Sequence, residues 1–443
     1  MIDKSNRQIT TFEKFEIICL LIFTLDLFLG YIPLFVYYLA FVILVYKSSQ
    51  IEMSFILIFF PGIMIVEVIY RMGYDTLLLL LFTGIMLILK DIWKWRYKII
   101  LSLVPLFIVF TGFLVTYIYA PKGRYSAEKI LLLILNGVAY FLFFAAYIKS
   151  DKFNNLRFAL FLNFIFIFLA KIGIQNNIIP GPMNFYDFGF IRYGLPESTN
   201  STISFTGYHE FGSLSLFSII FLLASIKKFN WFHPFLIILC FYLSLLAGAR
   251  QMIYGIVAVL FIYFISNLKS LKSGQVIFFV IFSILLITIF ERSNIPFISD
   301  YLLNKDIVET VGGRSEGYEE AIRIFNEKPF LGNGIGGFAH NGEYRSYPHN
   351  ILLEIMAEGG IFMLTLIFFT FYIAKKRSNY RMLDQTENGT LYLLLILGFA
   401  VKAFSSSDLI QNIALISALL AISIFEKVYT RVDCDISISN PHK

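Results

Sequence analysis

Long apolar runs recur along nearly the whole chain and are separated by shorter polar segments. A helix needs about 20 consecutive, mostly apolar residues to cross a bilayer. The pattern predicts fourteen candidate spans, at 15–30, 32–46, 52–70, 75–90, 99–120, 129–148, 157–174, 210–226, 232–248, 250–267, 275–290, 350–374, 390–404 and 408–426. Two longer polar segments, 175–209 and 291–349, interrupt this series, and we predict that both are loops.

The composition supports a membrane protein. Hydrophobic residues make up 58% of the chain and charged residues 15%, whereas a soluble domain carries about 25% charged residues. The 50 Phe and 26 Tyr suit a lipid-facing and interfacial surface. We therefore predict an all-α fold: one integral membrane domain over residues 1–443, built as a polytopic bundle of about 12–14 transmembrane helices. The long loop would contain short helices of its own.

Basic residues indicate the orientation of this bundle. With the N-terminus in the cytoplasm, more than half of the 36 Lys and Arg residues fall on the inner side, as the positive-inside rule predicts. Lys122 and Arg124, in a short external loop, are exceptions. The first apolar run is then an uncleaved signal anchor, both termini are cytoplasmic, and the loops 175–209 and 291–349 share the external face with the turn at 248–250.

The net charge and the rare cysteines exclude several function classes. The formal charge of +6 comes from short loops on one side of the membrane, so nucleic acid is not an expected partner. The 3 cysteines show neither metal nor redox spacing, and no His-Glu-x-x-His motif occurs. We expect no metal and no cofactor.

A polar stretch at 312–358 contrasts with the apolar remainder and holds much of the external chemistry. Within it, residues 315–327 are predicted to form a helix, with Ala321, Ile322 and Phe325 on one face at helical spacing. This helix would lie against the membrane face or against the bundle.

Two arginines are candidates for binding an anion. Arg250 lies at the outer end of a predicted span, and a guanidinium offers a fork of donors that matches phosphate oxygens. The alternative for Arg250 is a side chain that simply reaches from the span to the interface. Arg314 follows Gly312 and Gly313, just ahead of the predicted helix start, where free amides favour a pyrophosphate. The alternative for Arg314 is a salt bridge to Glu316 or to another carboxylate of the loop.

His349 is the candidate base. Pro348 precedes it, and Asn350 can cap the helix that begins with Ile351. A histidine with a near-neutral pKa at this boundary can accept a proton from a sugar hydroxyl, although it can also serve only to bond loop backbone.

Two acidic residues follow in the same helix. If the helix starts at His349, Glu354 and Glu358 lie well round its circumference from the imidazole. We expect them to pack against another span, for example toward Lys402.

The end of the first long loop supplies further substrate-contact candidates, which are Arg192, Tyr208, His209 and Glu210, and Asn350 joins them from the second loop.

Four motifs accompany these residues: Gly248-Ala249-Arg250 opening a span, Gly313-Arg314-Ser315 with its short helix, Pro329-Phe330-Leu331-Gly332-Asn333-Gly334-Ile335-Gly336, and Pro348-His349-Asn350 followed by Leu353-Glu354 and Ala357-Glu358-Gly359. In combination they resemble the O-antigen polymerase and O-antigen ligase superfamily of bacterial envelope enzymes.

The resemblance implies a membrane-embedded glycosyltransferase of the C type in the bacterial inner membrane, with its active site on the external face. It implies a polyprenyl-pyrophosphate-linked oligosaccharide donor, a growing glycan acceptor, contacts with membrane lipid and a chain-length regulator as a further partner. By the same resemblance, Arg250 and Arg314 hold the donor pyrophosphate and His349 activates the acceptor hydroxyl. A polysaccharide polymerase is our first hypothesis. The alternatives are a ligase that transfers a finished glycan and, from another class, a flippase or transporter.

Overall fold

The structure is a computed structural model, and it describes residues 98–149, 216–223, 235–241, 250–267, 274, 277, 307–341, 347–378, 387–405, 409–410 and 412–423. Within these ranges the chain is helical or in turns and contains no strand. The main helices are α1 (Lys98–Ile118), α2 (Arg124–Lys149), α3 (Arg250–Asn267), α4 (Ile307–Glu327), α5 (Gly337–Asn341), α6 (Ile351–Arg377) and α7 (Glu387–Ser405). The all-α prediction is confirmed for this part of the chain.

Helix α6 is the centre of the described structure. It packs against α1, α4 and α5, while α1 packs on α2 and α3 packs on α7. Aromatic rings fill the space between α2 and α7, where Phe399 meets Tyr140 edge-on with ring centroids 5.6 Å apart. The Ser417 hydroxyl donates to the Gly137 carbonyl at 2.9 Å, which ties the helix at 412–423 to α2.

Five predicted spans coincide with the helices α1, α2, α3, α6 and α7, and the span at 250–267 coincides with α3 throughout. By length and apolar composition, two helices in the described residues can cross a membrane: Arg124–Phe144 with 21 residues and Ile351–Lys376 with 26 residues. Helix α2 begins five residues before the predicted start at 129, and Arg124 pairs with Glu128 across its first turn at 2.6 Å. The full span count and the orientation stay predictions.

Helix α4 corrects two details of the sequence interpretation. It begins at Ile307 and continues through the glycines 312 and 313, so Arg314 lies inside a helix and not ahead of a helix start. Two helical glycines cost about 1 kcal/mol each relative to alanine, and packing against α6 opposes that cost. The buried face is Ala321 with Ile324, whereas Ile322 is exposed. Ala321 belongs to both faces, and the buried face is centred roughly 80° from the predicted one.

Helix α6 is broken at Gly360, where φ is 61° and ψ is −163°. This conformation is open almost only to glycine. It divides α6 into a short first half, 351–359, and a long second half, 361–377. A break in a membrane helix leaves backbone groups without their helical partners, and these groups need other partners because hydrocarbon offers none.

The loop between α4 and α5, residues 328–336, supplies those partners. We call it the clasp. The N–H groups of Asn333 and Gly334 donate to the carbonyls of Ala357 and Glu358 at 2.9 and 2.8 Å, on one side of the break. On the other side, the N–H groups of residues 361 and 362 donate to the carbonyls of residues 329 and 330 at 2.8 and 3.0 Å. The clasp thus binds both halves of α6 through backbone atoms.

Glycine is required in the clasp by close approach as well as by conformation. Gly332 and Gly334 both have positive φ, at 67° and 81°. A Cβ on Gly332 would lie 2.5 Å from the carbonyl carbon of Glu358, and a Cβ on Gly334 would lie 2.4 Å from Cα of Ala120. The clasp is therefore wedged between the broken helix and the α1–α2 turn.

Candidate active site at the start of a broken helix

His349 lies two residues before Ile351, the first residue of α6, in a turn between Pro348 and the helix cap Asn350. Asn350 is the N-cap: its side-chain oxygen accepts from the N–H groups of Leu352 and Leu353 at 3.0 and 3.3 Å. Pro348 is buried and restricts the approach of the chain. The predicted cap is confirmed, and the helix begins at Ile351. The angles between His349 and the two glutamates were given only for a helix that starts at His349, so they do not apply here.

The backbone of His349 is unusual. Its φ of 56° makes it the one non-glycine residue with positive φ in the described part of the chain. Such residues are uncommon and cluster at functional sites, because the surroundings must stabilise a conformation that costs about 1–3 kcal/mol. The Tyr347 ring meets the imidazole edge-on with centroids 4.6 Å apart. His349 is partly exposed, and its Nδ1 atom is buried.

A buried charged cluster lies behind this turn. Lys129 Nζ of α2 donates to Glu354 Oε1 at 2.6 Å and to Glu358 Oε1 at 2.7 Å. The side chain of Lys129 is 0% exposed, and those of the two glutamates are 0% and 1% exposed. The Lys129 ammonium also lies 5.7 Å from the centre of the Tyr125 ring, within reach of a cation–π attraction. We name these three residues, Lys129, Glu354 and Glu358, the ionic cluster.

The ionic cluster includes a residue that the sequence analysis missed. We expected both glutamates to pack against another span, for example toward Lys402, and the structure gives them Lys129 as their shared partner. Lys129 is the first residue of the predicted span at 129–148, where a basic residue is ordinarily a flanking charge. One sequence feature did indicate that a basic partner was needed. Two carboxylates stand four residues apart in a predicted span, and charges within a membrane need partners.

The α1–α2 turn contacts the clasp. The Tyr119 hydroxyl donates to the carbonyl of Leu331 in the clasp at 2.6 Å. The Ser126 hydroxyl donates to the Pro121 carbonyl at 3.0 Å and so holds the start of α2. Hydrogen bonds thus connect the α1–α2 turn to the clasp, and the clasp to the C-terminal end of the first half of α6.

The structure locates the two arginines by their backbone. Arg250 is the first described residue of α3, and Arg314 lies in the first half of α4. Their side chains are outside the described residues, as are all of Arg192, Tyr208, His209 and Glu210. Their substrate-binding roles stay predictions.

Comparison with known families then gives the decisive observation. Residues 235–368 match the Wzy_C family model, O-antigen ligase. This segment contains α3, α4, the clasp and the first half of α6, with Arg250, Arg314 and His349 among its residues. The resemblance to the O-antigen polymerase and ligase superfamily is confirmed. Lys129 lies outside the Wzy_C segment, in a helix that packs beside it. No curated protein matches the chain.

The Wzy_C match supports a bacterial membrane protein of O-antigen-type polysaccharide biosynthesis that acts on lipid-linked glycans. Within the described residues, no group of three His, Cys, Asp or Glu side chains could hold a metal ion. The described site therefore combines a partly exposed imidazole at His349, the helix cap at Asn350 and the buried ionic cluster.

Proposed function

We propose that this protein is a polysaccharide polymerase of the inner membrane. It joins polyprenyl-pyrophosphate-linked oligosaccharide repeat units on the external face of a multi-pass bundle. The observation that carries the proposal is His349, a partly exposed imidazole held in a left-handed backbone conformation directly before a capped helix, inside the Wzy_C segment.

His349 takes the proton of the attacking hydroxyl. Because Nδ1 is buried, we assign Nε2 as the proton acceptor. The hydroxyl oxygen of the acceptor sugar then bonds to the anomeric carbon of the donor, and the bond from that carbon to the pyrophosphate oxygen breaks. Polyprenyl pyrophosphate leaves with the electron pair of that bond, and the proton stays on the imidazole until water removes it.

Arg250 and Arg314 are proposed to bind the departing pyrophosphate. Negative charge grows on the leaving oxygens as the anomeric bond breaks, and positive donors placed there stabilise the transition state. Arginine suits this task because its planar fork matches two phosphate oxygens at once. No metal ion is needed in this scheme.

A ligase that transfers a finished glycan to an acceptor lipid or protein is the second candidate, and the description of the matching family favours it. Both reactions use the same donor chemistry and differ in the acceptor. A flippase has less support, because a transport path calls for polar side chains along many spans, whereas the sequence predicts that the candidate residues share one face of the membrane.

The glycan profile of cells that carry His349→Ala tests the proposal. A polymerase variant should leave single repeat units on the lipid carrier and make no ladder. A ligase variant should leave long chains on the carrier. The matched control is His340→Ala, because His340 is an exposed histidine in α5, and it should give the wild-type profile. A wild-type glycan profile in the His349→Ala strain, with long chains transferred off the carrier in normal amounts, would overturn the assignment of the base.

A further inference from the structure

We propose that Lys129 is a positioning residue for His349. It fixes the first half of α6 against α2, and this contact determines where the imidazole lies. The inference rests on the proposed role of His349 and adds a residue from outside the Wzy_C segment to the machinery of the reaction.

A continuous chain of contacts leads from Lys129 to His349. The Lys129 ammonium holds the Glu354 carboxylate at 2.6 Å. The Glu354 N–H donates to the Asn350 carbonyl at 3.0 Å, and Asn350 caps α6 with its side chain. His349 is the next residue towards the N-terminus. The first turn of α6 is therefore anchored at the residue that follows the candidate base.

Glu358 anchors the other end of the same half-helix. Its carboxylate binds Lys129 at 2.7 Å, and its carbonyl accepts from the Gly334 N–H of the clasp at 2.8 Å. Glu354 thus connects Lys129 to the His349 turn, whereas Glu358 connects it to the clasp. Variants of Glu354 and of Glu358 can therefore be compared, because both residues lie on the same half-helix and only Glu354 leads to the His349 turn.

A short half-helix needs such an anchor. The break at Gly360 separates residues 351–359 from the long second half, so the second half does not fix the rotation of the first through continuous helix hydrogen bonds. Buried ionic contacts are directional and persist where water is excluded. Catalytic groups must be held close to their productive geometry, and a shift of about 1 Å can slow a reaction by about 100-fold.

The decisive variant is Glu354→Met, which keeps the size of the side chain, removes the acceptor and leaves Lys129 paired with Glu358. Purified protein in nanodiscs would be assayed with lipid-linked repeat units extracted from cells that lack this protein. We expect kcat per folded protein to fall by about tenfold or more, while KM for the donor changes less than about threefold. Glu354→Gln, whose carbonyl can still accept from Lys129, should restore kcat to within about threefold of wild type.

Glu358→Met is the control on the same face, and its kcat should fall less than that of Glu354→Met because the ion pair between Lys129 and Glu354 is intact. If Glu354→Met is not recovered as folded protein, the fully apolar variant with Met at 129, 354 and 358 replaces it, since size-matched apolar residues commonly substitute for a buried ion pair. It should fold and show the same loss in kcat.

A folded variant without the Glu354 contact that keeps wild-type kcat would overturn the inference, because the ionic cluster would then serve stability alone. His349→Ala, measured in parallel, separates this result from a failure of the proposed function. Activity in His349→Ala would refute the base assignment itself. An inactive His349→Ala together with a fully active Glu354→Met would refute only the positioning role.

Discussion

Gly360→Ala is predicted to disrupt the break in α6. The φ of 61° and ψ of −163° at this residue suit glycine almost alone, and forcing another residue into such a region costs about 1–3 kcal/mol. The added Cβ would also lie 2.5 Å from the carbonyl oxygen of Phe330 and 2.6 Å from its carbonyl carbon. Both contacts are with backbone, so a rotamer change cannot relieve them.

The clasp must move to accept the methyl group. Movement of Phe330 weakens two backbone hydrogen bonds across the break, from Ile361 to Pro329 and from Phe362 to Phe330. Each hydrogen bond contributes about 1 kcal/mol net. Together with the backbone strain, the loss in stability comes to about 3–5 kcal/mol, which corresponds to a fall in Tm of roughly 3–5 °C for a chain of this size.

Thermal unfolding of purified protein, followed by size-exclusion chromatography of heated samples, measures this effect. The control is Gly123→Ala in the α1–α2 turn, where an added Cβ meets nothing within 4 Å and should change Tm by less than about 1 °C. A Gly360→Ala protein with the Tm of the control would refute the account of the break and of the clasp that holds it.

Three further predictions concern the residues around the site. Asn350→Ala removes the oxygen that caps α6 and should lower stability by about 1 kcal/mol, which is measured as a lower Tm. Asn350→Ser should retain most of the wild-type stability. Equal Tm values for the two variants would contradict the cap. Tyr119→Phe removes the hydrogen bond to Leu331 and should also cost about 1 kcal/mol with kcat unchanged, so a lost activity at normal Tm would show that the hydroxyl has another role. Arg250→Lys and Arg314→Lys should each reduce transfer by about tenfold in an assay with lipid-linked repeat units, because lysine lacks the planar fork; wild-type turnover by either would indicate an interfacial or structural side chain.

The local features of the site could be predicted from the sequence. A side-chain cap and its helix lie within four residues, so the pattern Pro348-His349-Asn350 was sufficient to predict the start of α6. This prediction depends on short-range chemistry that tertiary packing leaves intact.

The break in α6 was beyond such reasoning. Gly359 and Gly360 stand in an apolar run, where isolated glycines are commonly tolerated within a helix. The break is stabilised by backbone hydrogen bonds from the clasp, which lies almost 30 residues earlier in the chain. Backbone partners leave no trace in side-chain patterns. The clasp glycines were recognised as a motif, but their sites of contact could not be derived from it.

The ionic cluster could not be predicted from the sequence either, because its members are far apart in the chain. Lys129 and its partner Glu354 are separated by 225 positions in the sequence, and several basic residues near span ends could have served equally well. Packing of α1 against α2, and of α6 against α1, determines which of them is brought to the two glutamates. The error over Ile322 has a related origin, since the face that α4 buries is determined by its contacts with α6 and α5.

The transfer reaction of purified His349→Ala tests the central claim most directly. Lipid-linked repeat units extracted from cells that lack this protein would serve as both donor and acceptor, and the appearance of dimers and longer chains would be followed with time. Our account predicts a folded protein with wild-type Tm that forms no linked product, beside a fully active His340→Ala control. Chain formation by His349→Ala at the wild-type rate would contradict it.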